Sequence, residues 1–120
     1  MKIVVTGGAG HIGRAAVSQL LSKGHFVRVL DRAPESELDP SAVDEIQGAE
    51  YRQVDITDIE TLRPAFEGMD AAVHLAALVH PGAGPDHVIF DINGRGTFNV
   101  YRAAADAGIR RVVSASSINA

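Results

Sequence analysis

Thr6-Gly7-Gly8-Ala9-Gly10-His11-Ile12-Gly13 is the stretch on which the fold turns. The apolar run before it, residues 2–5, reads as a strand. Residues 11–23 after it read as a helix, with Ile12, Ala16 and Leu20 at i, i+4 and i+8 and Gly24 as its stop. A strand, a run of glycines and a helix in that order describe a chain leaving a sheet through a turn that a β-carbon would block.

Strand-like and helix-like stretches go on alternating beyond this unit. A second strand covers residues 26–30 and ends at the pair Asp31-Arg32. Residues 33–50 hold six acids, two prolines and no base, which reads as a solvated connection with one helical turn near residues 43–46. A third strand, 51–54, runs into Asp55-Ile56. Thr57 and Glu60 have the spacing of a capping box for a helix reaching about Glu67, with Gly68 as its stop and Pro64 expected to kink or split it. The fourth strand spans 71–75, and a Gly/Pro loop follows at 80–85. The longest helix is expected over 86–107, with Ile89, Ile92, Gly96, Val100, Ala103 and Ala107 on one face. Gly108 ends it, and a fifth strand covers 111–115. With right-handed crossovers this order predicts an α/β chain of one domain, residues 1–120: a Rossmann-type doubly wound parallel sheet of five strands in the order 3-2-1-4-5.

Composition narrows the function classes. An apolar content of 46% against 22% charged residues excludes a disordered chain, a collagen-like repeat and a coiled coil. The absence of cysteine excludes disulfides, a thiolate nucleophile and a Cys-ligated metal. A net charge of −4 argues against a nucleic-acid or anionic-membrane surface. The longest apolar stretch, 71–79, is interrupted by His74 and falls far short of the ~20 residues of a membrane span. The amino terminus has no signal-peptide pattern, so a soluble cytoplasmic protein is expected. His74, His80 and His87 lie six and seven residues apart, unlike a helical zinc pair, and no metal site is expected.

Gly8-x-Gly10-x-x-Gly13, between a strand and a helix, satisfies a dinucleotide-binding fingerprint. Gly7 makes the turn, Gly10 lets the backbone approach a pyrophosphate, and Gly13 lets the helix pack on the sheet. The unpaired N–H groups where His11, Ile12 and Gly13 open the helix suit the diphosphate. Asp31, 18 residues past Gly13, can accept both hydroxyls of a ribose, which favours NAD over NADP. Arg32 could instead hold a 2′-phosphate, while the acidic run behind it weighs against one. The plainer alternative is a tight turn with a solvated Asp.

Further motifs follow in order: Asp55-Ile56 after strand three, His74-Leu75-Ala76-Ala77 at strand four, Asn93-x-x-Gly96-Thr97 in the long helix, and a strand-five end running through Ser116-Ser117 to Ala120. On these residues the chain resembles, over residues 2–120, the amino-terminal part of the extended short-chain dehydrogenase/reductases, the NAD-dependent epimerase/dehydratase family. The resemblance implies that Asp55 takes the adenine amine and Ile56 contacts the ring. It implies that Leu75, Ala76 and Ala77 pass the cofactor's ribose and nicotinamide side, Ala77 standing where many members carry Gly. Asn93 would tie strand four to the helix near the cofactor. Two plainer readings stand beside these: Asp55 starting a loop, and Asn93 as a structural cross-brace.

The same resemblance makes Ser117, with Ser116 as second choice, the active-site hydroxyl that orients the substrate oxygen. The family's proton-transfer pair is Tyr-x-x-x-Lys. Here Tyr51 is followed by Asp55 and Tyr101 by Ala105 at that spacing, and no lysine follows Lys23. The expectation is therefore the NAD-binding portion of a longer enzyme, truncated before the catalytic Tyr–Lys helix and inactive by itself. The parent would transfer hydride between NAD and a sugar or nucleotide sugar, as an epimerase or dehydratase. The alternatives are a sugar or uronate dehydrogenase of the same family and a non-catalytic NAD(H)-binding module. An open edge at strand five predicts a homodimer or edge-paired oligomer.

Overall fold

A computed structural model describes residues 1–80 and 82–117. Pro81, within the loop expected at 80–85, and residues 118–120 of the strand-five motif lie outside the described residues. The elements are β1 (Lys2–Thr6), α1 (His11–Ser22), β2 (Phe26–Asp31), a 3₁₀ turn (Glu35–Glu37), α2 (Pro40–Glu45), β3 (Glu50–Gln53), α3 (Ile59–Phe66), β4 (Ala71–His74), α4 (Asp86–Phe90), a π turn (Asp91–Gly96), α5 (Thr97–Asp106) and β5 (Arg111–Ser114). Five parallel strands form one sheet in the order β3-β2-β1-β4-β5.

β1 lies in the middle of the sheet, and its side chains feed both cores, which is why it needs an unbroken apolar run. Val4 packs with Leu30, Leu62, Phe66, Val100 and Ala103 on the α3–α5 side. Ile3 and Val5 pack with Val17, Val27 and Val29 on the α1 side. Gly24 ends the first helical unit at φ +85°, as its position after residue 23 suggested.

Local expectations change at four places. The connection 33–50 carries a real helix, α2, whose N-terminus is capped by Asp39 accepting from Ala42 N–H at 2.9 Å, with Pro40 at the first position. The Thr57–Glu60 capping box does not form. Asp55 Oδ1 captures the Thr57 hydroxyl at 2.7 Å, and Asp58 caps α3 by accepting from Glu60 N–H at 3.1 Å. Pro64 does not split α3 but lies within it, two residues before its end. Buried Arg28, from β2, closes that end by donating to the Ala65 and Glu67 carbonyls at 2.9 and 3.2 Å.

The fourth change is in the long helix, which is interrupted by the π turn at Asp91–Gly96. Gly94 and Gly96 weaken the α-helical preference there. A Cβ on Gly96 would stand 2.6 Å from Ile56 Cδ1, so this glycine lets the helix come close against Ile56. Buried Asn99 then ties α5 to the same loop, donating to the Ile56 carbonyl at 2.9 Å.

Candidate functional site

The carboxyl ends of β1, β2, β3 and β4 open on a cleft of about 530 Å³, outside the strand ends where open α/β sheets bind ligands. Its floor is the glycine turn. Gly7 has φ +68°, and a Cβ there would lie 2.6 Å from Ala76 N. A Cβ on Gly13 would come within 1.9 Å of the Gly7 carbonyl oxygen, so α1 can rest on the turn only without one. The folded chain makes no such demand at Gly10. It has extended backbone, φ −74° and ψ 174°, and a Cβ there would meet only Gly7 O, at an ordinary 3.4 Å. Gly10 lines the cleft, so a glycine at this position keeps room for something outside the chain.

α1 begins at Gly10 with no side-chain cap and no acid in its first turn. Its opening N–H groups, those of His11, Ile12 and Gly13, are the part of a helix that binds an anion. His11, Ile12 and Gly13 themselves are not among the residues that line the cleft. Ile12 is 71% exposed, and His11 Nδ1 accepts from Arg14 at 3.1 Å. A cleft floored by Gly7, Ala9 and Gly10 beside the uncapped start of a helix suits a diphosphate, and on that observation the residues present fit a dinucleotide.

Asp31 stands at the end of β2 beside the turn. Its Oδ2 accepts from Ala9 N–H at 3.1 Å and its Oδ1 from Arg32 N–H at 2.8 Å. Asp31, Arg32 and Ala33 line one end of the cleft together with Leu38, from the strap that leads to α2. Val54, Asp55, Ile56 and Thr57 form an adjoining wall. Asp55 starts the loop, its Oδ1 accepting from Thr57 N–H at 2.9 Å, and the residue also lines the cleft.

Leu75, Ala76 and Ala77 form the opposite wall, and a buried brace holds them. Thr6 Oγ1 accepts from Leu75 N–H at 3.2 Å and Ala76 N–H at 3.3 Å. With its lone pairs used, the hydroxyl donates to His74 Nδ1 at 2.6 Å, and His74 Nε2–H donates to Thr97 Oγ1 at 2.8 Å. Burial lowers the His74 pKa below its ordinary 6.5, which suits the neutral ring this brace requires.

Asn93 does not line the cleft. Its amide donates to the Leu78 carbonyl at 2.9 Å and its Oδ1 accepts from Leu78 N–H at 2.8 Å, which is the cross-brace between the strand-four end and the long helix. Ser116 and Ser117 follow β5, exposed and away from the cleft lining. Ala115 N–H donates to the His74 carbonyl at 3.1 Å, so these serines leave the sheet beside the Leu75–Ala77 wall. Among the cleft residues that sequence reasoning missed are Leu38, Val88, Asp91 and Ile92. Ile92 carried a signal as a helix-face residue; the other three depend on where the strap, α4 and the π turn cross the strand ends.

The family model described as NAD dependent epimerase/dehydratase family matches residues 3–120, and the chain belongs to that family. It is 39% identical over 116 residues to L-arabinose 1-dehydrogenase (NAD(P)(+)) of Haloferax volcanii, covering 97% of this chain and 41% of that protein. It is 36% identical over 122 residues to 3 beta-hydroxysteroid dehydrogenase/Delta 5-->4-isomerase of Mycobacterium tuberculosis, covering 97% of this chain and 31% of the relative. Among solved structures, UDP-glucose-4-epimerase from Stenotrophomonas maltophila, with bound NAD and formylated UDP-arabinopyranose, superposes with a TM-score of 0.85 at 32% identity, over 99% of this chain and 38% of that one. The chain thus spans between 31% and 41% of the length of these three relatives.

Proposed function

We propose that this chain is the cofactor-binding part of a longer NAD-dependent enzyme that acts on a sugar or nucleotide sugar by hydride transfer. The observation that carries the reading is Gly10, a glycine the fold itself does not need, beside the uncapped start of α1. In this reading the α1 N–H groups hold the diphosphate. Asp31 accepts the adenosine ribose hydroxyls and favours NAD over NADP by repelling a 2′-phosphate. Asp55 Oδ2 takes the adenine amine, and Ile56 contacts the ring. Leu75, Ala76 and Ala77 give the nicotinamide side a smooth wall. NAD, when bound, supplies the hydride acceptor. Ser117, or Ser116 in second place, orients the substrate oxygen by donating to it. A sugar substrate is supported by the L-arabinose dehydrogenase and the epimerase, and a sugar or uronate dehydrogenase is the nearest variant of the proposal.

By itself the 120-residue chain binds cofactor without turnover, because it has no Tyr-x-x-x-Lys to move the proton. The exposed β5 residue Val113 and the open edge beside it favour pairing with a second copy. The test is a calorimetric titration of the chain with NADH and NADPH. Saturable binding with NADH the tighter supports the reading, and no binding of either overturns it. The substrate class is tested in the longer protein by following NADH formation with L-arabinose, glucuronate and a 3β-hydroxysteroid. Turnover confined to the steroid would overturn the sugar assignment.

A further inference from the structure

β3 carries two polar side chains toward the turn that follows Asp31. Asp31 and Gln53 are register partners, and Val29 and Tyr51 are partners two residues earlier, so Tyr51 and Gln53 stand on the side of the sheet that Asp31 occupies. Gln53 Nε2 donates to the Arg32 carbonyl at 3.2 Å. The N–H of that same peptide, on Ala33, donates to Asp31 Oδ1 at 3.4 Å. A trans peptide carries its C=O and N–H on opposite edges, so anchoring the oxygen aims the hydrogen. Tyr51 O–H donates to the next carbonyl, that of Ala33, at 2.6 Å. Two successive peptides after Asp31 are therefore pinned from the neighbouring strand, and Asp31 is held from both ends of its carboxylate, by Ala9 N–H on Oδ2 and by Arg32 and Ala33 N–H on Oδ1.

We propose that Gln53 and Tyr51 are positioning residues for cofactor selection: they keep the Asp31 carboxylate turned into the cleft and so set the discrimination between a plain and a 2′-phosphorylated adenosine ribose. This rests on the reading of Asp31 as the ribose-holding acid. A phosphate at the 2′ position could be admitted only if the carboxylate swung away, and swinging away means giving up its three backbone donors. Val54 N–H holds the Asp31 carbonyl at 2.8 Å and Gln53 holds that of Arg32, so the peptides that supply two of those donors cannot turn to follow it, while Tyr51 fixes the Ala33–Pro34 peptide just beyond them. Removing the pins frees turn and carboxylate together, which loosens the grip on ribose hydroxyls and relieves the repulsion of a phosphate. The Tyr51 phenol stays a donor throughout the neutral range, since burial, with the charges of Asp31 and Glu35, raises its pKa to about 12. Gln53 is exposed and Tyr51 half-buried, so Gln53→Leu and Tyr51→Phe remove a donor each and leave the packing in place.

The test uses the 120-residue chain and its Gln53→Leu, Tyr51→Phe and Asp31→Asn variants, with dissociation constants for NADH and NADPH read from cofactor fluorescence. Each β3 variant is expected to weaken NADH by about threefold to tenfold, the range of one lost hydrogen bond. NADPH should weaken less or tighten, so that the ratio of the two constants moves toward one. A purely structural loosening would weaken both cofactors alike and leave the ratio unchanged, and that result overturns the proposal. So do unchanged constants in both β3 variants while Asp31→Asn weakens NADH. Unchanged NADH affinity in Asp31→Asn would instead remove Asp31 from the site and take this inference with it.

Discussion

Two glycines three residues apart in the same turn should respond to the same substitution in opposite ways. In Gly13→Ala the new methyl group lies 1.9 Å from Gly7 O and 2.7 Å from Gly8 Cα, both backbone atoms that no rotamer change can move aside. Relief requires α1 to lift from the turn, at the upper end of the roughly 1–3 kcal/mol that overpacking costs, or beyond it. In Gly10→Ala the methyl meets one atom at 3.4 Å, and the backbone is one any residue adopts. The restricted unfolded chain then stabilises the fold by about 0.4–1 kcal/mol. At about 4–8 °C per kcal/mol, thermal melting should fall by roughly 12 °C or more for Gly13→Ala and rise by about 2–8 °C for Gly10→Ala. Fluorescence titration with NADH should read the other half: the stabilised Gly10→Ala chain binds about tenfold more weakly or worse, because its methyl stands where the diphosphate must approach. A Gly10→Ala chain that melts higher and binds NADH as well as the parent would refute the assignment of that space to a ligand.

Asp31→Asn should weaken NADH by roughly 1–3 kcal/mol in calorimetry, through lost charge-assisted hydrogen bonds. Arg28→Met should lower stability in urea unfolding by roughly 1–3 kcal/mol, because it strips the Ala65 and Glu67 carbonyls of a donor and leaves Glu50 with Arg52 alone. Stability should also fall with acidification in two windows. His74 has a folded pKa below 6.5, so the unfolded chain takes up its proton first and stability declines as pH drops from about 6.5 through that lowered value; His74→Gln should flatten this limb of a melting-temperature profile. For Glu50, burial alone would raise the pKa, but hydrogen bonds from Arg52 and Arg28 outweigh it and leave it below 4.5, so its contribution is present above 4.5 and is lost as pH falls further.

What could be read in advance followed from periodicity and from residues with one physical use. The unbroken Ile3-Val4-Val5 run needs cover on both faces, and it lies at the centre of the sheet. Gly13 is demanded by contacts of under 3 Å within the strand–turn–helix unit itself, and Gly7 by its positive φ together with the close approach of Leu75 and Ala76. The misreadings arose where two local partners compete or where the helical repeat changes. Thr57 and Asp58 both suit an N-cap, and the choice was decided by Asp55 drawing off the Thr57 hydroxyl. Asp39-Pro40 is a helix start hidden in a run whose acids and prolines read as a loop. The π turn leaves no mark on hydrophobic spacing, since Ile92, Gly96 and Val100 keep one face through it. The fastening of Asp31 by Gln53 and Tyr51 needed the strand register as well as the strand order.

The central claim is that the opening of α1 and the end of β2 together hold one dinucleotide. A crystal structure of the chain soaked with NADH addresses it most directly. The account predicts the diphosphate within hydrogen-bond distance of the α1 N–H groups beside Gly10, with the adenosine ribose hydroxyls on Asp31. NADH bound elsewhere on the sheet, or seated in the cleft with its diphosphate away from Gly10, would contradict it.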